Sequence, residues 1–318
     1  MKSFWNEGRL YHLEGKHFES FDEVLEACGL DFDAEMVPMT HPDDDGTPLE
    51  QPFVSLVRRK DNKIPLGVNS KVYGLTQYRQ WFSIPEDLWQ NGVTLVYGGL
   101  QGHGSRAYLV MRAEGSIKLA NEDVILNEFT VTASHDGTSK LQFMMTPRRT
   151  GNQSIVAFDR PLISYKHSKN VQSRISKTHS ILYKVKESWA EFSESTQAMI
   201  KVEMTDDDAR GFIKSVIGDG ESTRTENVRA KVFDLYKSVG IGRAVPACQG
   251  TLFGLVQAFC EYGDHHAIVR KSKYLDEASA ALDSKTLGAT AKQKAKGWSM
   301  AMTLIRNKKK LTGLTKGF

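Results

Sequence analysis

The dipeptide Asp136-Gly137 constrains the fold of this chain more than any other pair of its residues. Before it, VILNEFTVTA alternates apolar and polar positions through Ile125, Phe129 and Val131. After it, KLQFMMTP alternates again through Leu141, Phe143 and Met145. A period of two places each apolar set on one face of a strand, and a two-residue reverse turn needs the positive φ that Asp and Gly tolerate. The expectation is an antiparallel pair, with His135 as a turn residue bonded to nearby backbone.

Further strand signals come earlier, in FVSLVRR, KVYGLTQY and VTLVYGGLQGHGSRAYLVMR. The segment GGLQGHGSR is like a phosphate cradle, but no helix follows it as dinucleotide and P-loop fingerprints require, because Ala107 to Met111 continue as a strand. It reads as a hairpin turn whose His103 and Arg106 could touch an anion. Ahead of the strands, KHFESFDEVLEACG has helical spacing, with Ser20 as cap and Gly29 as stop. Four of the nine prolines then fall between Pro38 and Pro52, around Asp43, Asp44 and Asp45, which predicts an irregular acidic loop without the alternating ligands of an EF-hand.

After Pro161 the pattern turns helical. Val171, Ile175, Leu182, Val185, Trp189 and Phe192 share one face, while Lys166, Arg174, Lys177 and Lys184 fall on another if the helix begins early enough. Thr205 and Asp208 form a capping box, and helices follow over about 225–239, from near Thr251, and over about 286–306. The fold class expected is α+β: an antiparallel sheet with hairpins at about residues 54–147, then a long basic helix and a helical C-terminal half. Three segments are expected: an acidic head with a helix and a Pro/Asp-rich loop (1–53), a strand-rich core with the basic helix (54–200), and a helical region with a basic tail (201–318).

Charge is segregated along the chain. Between Lys140 and Lys186 ten Lys or Arg face one acid, Asp159; residues 1–50 hold thirteen acids and three bases, and residues 285–318 nine bases and no acid. Crowded cations repel one another unless an anion lies across them, and a polyphosphate backbone is the commonest such anion. The bland alternative for any one run is a solvated face. No apolar run reaches the 18 or so residues that span a bilayer, and MKSFWNEGRLYHLEG lacks the apolar core of a secretory signal, so a cytoplasmic protein is expected. Cys28, Cys248 and Cys260 form no CxxC pair and read as small buried residues. Cys260, Asp264, His265 and His266 lack a second ligand pair at zinc spacing, so neither a metal nor another cofactor is expected.

Several segments resemble the phage/plasmid-like proteins of mobile elements, a family catalogued as a domain of unknown function. They are FDEVLEACGLDFDAE, SHDGTSKLQFMMTPRR, SYKHSKNVQSRI, TLFGLVQAFCEYGDHH and LGATAKQKA, which together span most of the chain. The sequence departs from the pattern at Ala133, where a polar residue is usual, and in TGNQSIVAF, where a Cys and an Asn are replaced. The family names no reaction. In layout, antiparallel strands followed by a basic helix are similar to the core of single-strand annealing proteins of the RecT and Redβ kind, an analogy of fold only.

That resemblance implies a noncatalytic single-stranded DNA-binding protein that promotes annealing or recombination of a mobile element in a bacterial host cell. It implies a homo-oligomeric ring or filament, with an exonuclease or single-strand-binding protein as partner. The residues assigned to DNA are Arg148, Arg149, Lys166, His167, Lys169, Arg174 and Lys177, with Arg306, Lys308, Lys309 and Lys310 in the tail; Tyr165, Tyr78 or Trp81 would stack on bases. Two other classes remain open: a noncatalytic accessory protein whose basic stripe meets an acidic partner, and a nucleic-acid-processing enzyme. The basic region contains almost no acid from which to build a metal site for such an enzyme.

Overall fold

The alternating runs around Asp136-Gly137 do pair. In chain order the strands are β1 (Tyr11–His12), β2 (Ala34–Pro42), β3 (Pro48–Arg59), β4 (Pro65–Ser70), β5 (Thr94–Gln101), β6 (Arg106–Ala120), β7 (Asp123–Ser134), β8 (Leu141–Met145), β9 (Arg148–Arg149) and β10 (Ile163–Tyr165). The α-helices are α1 (Phe21–Ala27), α2 (Tyr78–Trp81), α3 (Ser83–Gln90), α4 (Val171–Ile175), α5 (Ile181–Ile200), α6 (Asp206–Ile217), α7 (Thr223–Asp234), α8 (Leu252–Glu261), α9 (Glu277–Thr286) and α10 (Ala289–Leu314). This computed structural model describes residues 5, 10–120, 122–156, 161–168, 170–175, 181–269 and 275–314, without the side chains of residues 172, 174 and 308–314. The fold is α+β, as expected.

β7 and β8 are antiparallel, from Phe129 opposite Met145 to Thr132 opposite Gln142. The connection is longer than a two-residue turn, because β7 continues to Ser134 against β6 while β8 begins only at Leu141. Gly137 has the positive φ expected of it, +70°. The antiparallel sheet runs β1-β5-β6-β7-β8-β10, with β9 also on β7, and both its faces are covered. Leu109, Met111, Phe129, Val131, Leu141, Phe143 and Met145 pack into one core with α1, α2, α3 and α4. Tyr108, Val110 and Met144 face the other way, towards Trp5, Leu282 and Ala291. A third core joins the far ends of β6 and β7, at Ile117 and Ile125, to α5, α6, α8 and α10.

The Pro- and Asp-rich segment is not an irregular loop. It forms β2 and the first half of β3, which with β4 make a separate three-stranded antiparallel sheet. Prolines fit because β2 is an edge strand and the register jumps from Pro38–Ser55 to Thr40–Glu50, leaving Pro52 in the bulge where no ladder N–H is needed. β3 crosses residue 53, so the acidic head and the following strand are one hairpin. One other expectation fails: residues 71–77 of KVYGLTQY are not a strand and lead into α2. The strand at Pro65–Ser70 and the helices at Ser83–Gln90 and Glu277–Thr286 were not anticipated, while the helix expected over about 286–306 forms as α10. The caps at Ser20 and Thr205 form as expected and Thr251 caps α8 in the same way, each side-chain oxygen accepting a backbone N–H of the first turn. Among the described residues no helix is long and apolar enough to cross a membrane.

Candidate nucleic-acid interface

Arg148 and Arg149 do not line an open groove, contrary to expectation. Arg148 is 7% exposed and Arg149 0%. β9 lies on β7, whose acids meet them: both oxygens of the fully buried Glu128 accept from Arg148 at 2.8 Å, and Arg112 shares the same carboxylate at 2.8 Å. Arg149 donates to Asp123 at 2.5–3.0 Å and to the Gly242 carbonyl at 2.7 Å. A guanidinium engaged on this many sides cannot leave its pocket for a phosphate without exposing buried carboxylates. Arg149 thereby ties the sheet to α8 and the segment before it, through Gly242 and Gln257, while Arg148 bonds to Glu128 on β7 and to Gln153 in the adjoining turn. A Cβ on Gly242 would come within 2.9 Å of both Asn152 Nδ2 and Glu261 Oε2, which fixes glycine at that junction.

The remaining sequence-derived residues are dispersed. Lys166 is exposed but follows β10 instead of standing on a helix, so the proposed cationic stripe loses its first member. His167 is half-buried and stacks on Tyr73, ring centroids 4.7 Å apart. Tyr78 and Trp81 are fully buried and cannot reach a base; Tyr165 packs edge-on to Trp81 at 6.2 Å. Lys169 and Lys177 lie outside the described residues, as do the side chains of Arg174, Lys308, Lys309 and Lys310. Arg306 is exposed at one end of a cleft of about 290 Å³ between α5 and α10, whose other lining groups include Glu191, Ser188 and Thr303.

The largest cationic concavity lies elsewhere. A groove of about 890 Å³ is bounded by α7, α9, the N-terminal half of α10 and the start of β6. Among the described residues its charged lining is Arg106, Arg224, Lys292, Lys296 and Asp283, and Arg106 is paired with both Asp283 and Asp136. Arg224, Lys292 and Lys296 are exposed. The first turns of α7 and α10 open onto the groove, so their amide ends add positive potential. Between the cations lie Val216, Ile217, Val228, Tyr262 and Ile268, an apolar floor on which a base could rest. The helical period sorts the lysines of α10: Lys292 and Lys296 face the groove, while Lys294, 1% exposed, points inward to Asp264 at 2.5 Å. That i, i+4 spacing was in the sequence and was not used.

A family model for a domain of unknown function, DUF932, matches residues 65–285. The chain belongs to the DUF932 family. No curated protein and no solved structure matches it, and nothing links it to RecT or Redβ. The DUF932 match begins at the first residue of β4 and ends inside α9. The β2–β3 hairpin and α10, which supplies Lys292 and Lys296, lie outside it.

Within the DUF932 match, two segments first noted in sequence, SHDGTSK and SYKHS, come together. His135 is fully buried, stacked on Tyr78 at 4.1 Å and edge-on to Phe32 at 6.1 Å. It is not a turn residue capping nearby backbone, since neither ring nitrogen has a hydrogen-bond partner. Burial, with His167 adding to it and Asp136 opposing, brings its pKa down to about 3. Burial also lowers that of His167, against the opposing backbone of Gly74 and Ser139. Both rings are therefore neutral near pH 7. The thiols of DUF932 residues Cys248 and Cys260 are raised by burial, Cys248 to about 11, which makes them poor nucleophiles. Three of the zinc-like quartet are otherwise engaged: Cys260 Sγ donates to the Val156 carbonyl at 2.7 Å, Asp264 binds Lys294, and His265 Nε2 meets the Asn152 carbonyl at 2.8 Å. Among the described residues no group of three or more His, Cys, Asp or Glu could hold a metal.

Proposed function

We propose that this protein binds single-stranded DNA in the groove between α7 and α10 and, as an oligomer, promotes annealing for a mobile element. The observation that carries the proposal is the lining of that groove: three exposed cations, Arg224, Lys292 and Lys296, beside an acid already paired with Arg106, with apolar side chains between them. Cations hold phosphates by Coulomb attraction and counterion release, and an apolar floor accepts any base, so no reaction is required. Buried Arg148 and Arg149 have no part in it; Lys166 and Arg306 remain exposed secondary contacts.

Fluorescence anisotropy with labelled single- and double-stranded oligonucleotides over a salt series tests this. The expected result is single-strand preference with affinity falling steeply as salt rises, lost on Lys292→Glu/Lys296→Glu. No binding at low salt would overturn it. Annealing of complementary strands separates an annealer from a passive coat, and added Mg²⁺ exposes a nuclease if one is present.

A further inference from the structure

The β2–β3 hairpin is an arm whose surface is the chemical inverse of the groove. From Met39 to Phe53 the sequence holds four acids, Asp43, Asp44, Asp45 and Glu50, and no Lys or Arg. Phe53 is 80% exposed and Leu49 45%, so Phe53 is almost bare and Leu49 about half covered by its own chain. The tip is well formed: Asp43 Oδ1 accepts the amides of Asp45 and Thr47 at 3.0 and 2.7 Å, which holds the turn closed. In the β2–β3–β4 sheet, β2 and β4 are the edge strands, and the distal residues Thr40 to Gly46 and Pro48 to Glu50 are mostly exposed.

We propose that the acidic arm of one copy docks into the basic groove of a second copy, so that arm and nucleic acid compete for one surface. Asp43, Asp44 and Asp45 would meet Arg224, Lys292 and Lys296, with Glu50 held by Lys71 of its own chain, while Phe53 and Leu49 would cover Val228 and Ile268, the latter 87% exposed. The complementarity is both electrostatic and apolar, which a solvated acidic loop does not need to be. Arm and groove are different surfaces, so the contact is head-to-tail and propagates as a ring or a filament depending on whether its rotation closes. The competition rests on the groove being the DNA site; the docking itself does not.

Sedimentation velocity tests it with two variants. Asp43→Lys/Asp44→Lys/Asp45→Lys makes arm and groove both positive, and Lys292→Glu/Lys296→Glu makes both negative. Wild type is expected to self-associate at low salt and dissociate at high salt. Each variant alone should be monomeric, and an equimolar mixture should reassemble because each arm again meets an opposite groove. Wild type that stays monomeric at low salt, or a mixture of two folded variants that fails to reassemble, overturns the proposal. Should a variant not fold, carbodiimide coupling of mixed ¹⁴N and ¹⁵N wild-type protein decides: the expected product joins an arm peptide to an α10 peptide of the other isotope, and its absence overturns the docking. The arm variant should bind labelled oligonucleotide several-fold more tightly at low salt. Loss of DNA binding with assembly intact sinks only the DNA site, and assembly unchanged by the arm variant sinks only the docking.

Discussion

The ring of His135 lies face to face with that of Tyr78, centroids 4.1 Å apart and planes 25° from parallel, with no partner for either imidazole nitrogen. Tyr78 turns its hydroxyl away, donating to the Gly104 carbonyl at 2.8 Å, and Tyr73 donates to the Ser134 carbonyl at 2.9 Å. The loop between β7 and β8 is thus held to the helix at α2 through a stack whose burial disfavours the charged form of His135.

Acid should loosen that junction. The unfolded chain protonates His135 near pH 6.5 and the native state only near 3, so the unfolded state binds more protons in between. The contribution of His135 to stability is complete above pH 6.5 and is lost as pH falls from 6.5 towards 3, at about 1.4 kcal/mol for each unit of pH. Arg106, paired with Asp136 beside the ring, does not titrate in this range, and His167 shifts in the same direction. Urea melts at about pH 7 and about pH 5 should show a smaller loss for His135→Phe, which keeps the stack without the proton. An identical loss in both proteins would refute the assignment.

Lys294 and Asp264 form a buried pair, 1% and 0% exposed, that fixes α10 to the π-turn after α8; Asp264 also accepts the Ile155 amide at 2.9 Å. Lys294→Met leaves a buried carboxylate with one amide donor and should cost about 3–5 kcal/mol in chemical denaturation. Adding Asp264→Asn, which removes the stranded charge, should recover a good part of it. A double variant as unstable as the sum of the singles would show that the two groups do not interact.

Arg149 should serve stability and not DNA, since its guanidinium is committed to Asp123 and Gly242. Arg149→Ala would leave Asp123 short of its main partner and should cost about 3 kcal/mol or more, while the folded fraction should bind oligonucleotide as wild type does. Gly242→Ala should destabilise through the same junction, since its Cβ would crowd Asn152, Glu261 and Arg149 Nη1 at 2.9, 2.9 and 3.1 Å. A selective loss of DNA affinity in Arg149→Ala, with its melt unchanged, would restore the arginine to the interface.

What could be read from the sequence was whatever depends on near neighbours along the chain. Phe129, Val131, Leu141, Phe143 and Met145 face one core because a period of two survives any tertiary context, and the cap at Thr205 needs only Asp208. The cation count from Lys140 to Lys186 misled because it stopped at the window's edge. Glu128 and Asp123, which neutralise Arg148 and Arg149, lie just upstream and are brought across by strand pairing. The Pro-rich segment was misassigned for a similar reason: prolines break a central strand but not an edge or a bulge, and which strand is the edge is decided by β3 and β4. The groove was hidden because its cations come from β6, α7 and α10, which no single stretch of sequence contains.

Lys292 and Lys296 offer the sharpest test of the groove, because Lys294 between them is an internal control on the same helix. All three belong to one basic run, yet two are exposed to the groove and one is sealed against Asp264. Each phosphate contact on a single strand contributes about 0.7 to the slope of log affinity against log salt. Lys292→Ala/Lys296→Ala should therefore lower that slope by about 1.4 and weaken binding at low salt alike for every oligonucleotide sequence, with a smaller loss of stability than Lys294→Met, since Lys296 gives up only its bond to the Val216 carbonyl at 2.8 Å. Lys294→Met should do the opposite, lowering stability while the folded fraction keeps the wild-type slope. If charge alone mattered, as it would for a diffuse basic surface, Lys292 and Lys296 could be replaced without changing the slope more than any two exposed lysines elsewhere, such as Lys184 and Lys186 on α5. An equal response to those two pairs would remove the groove as the binding site.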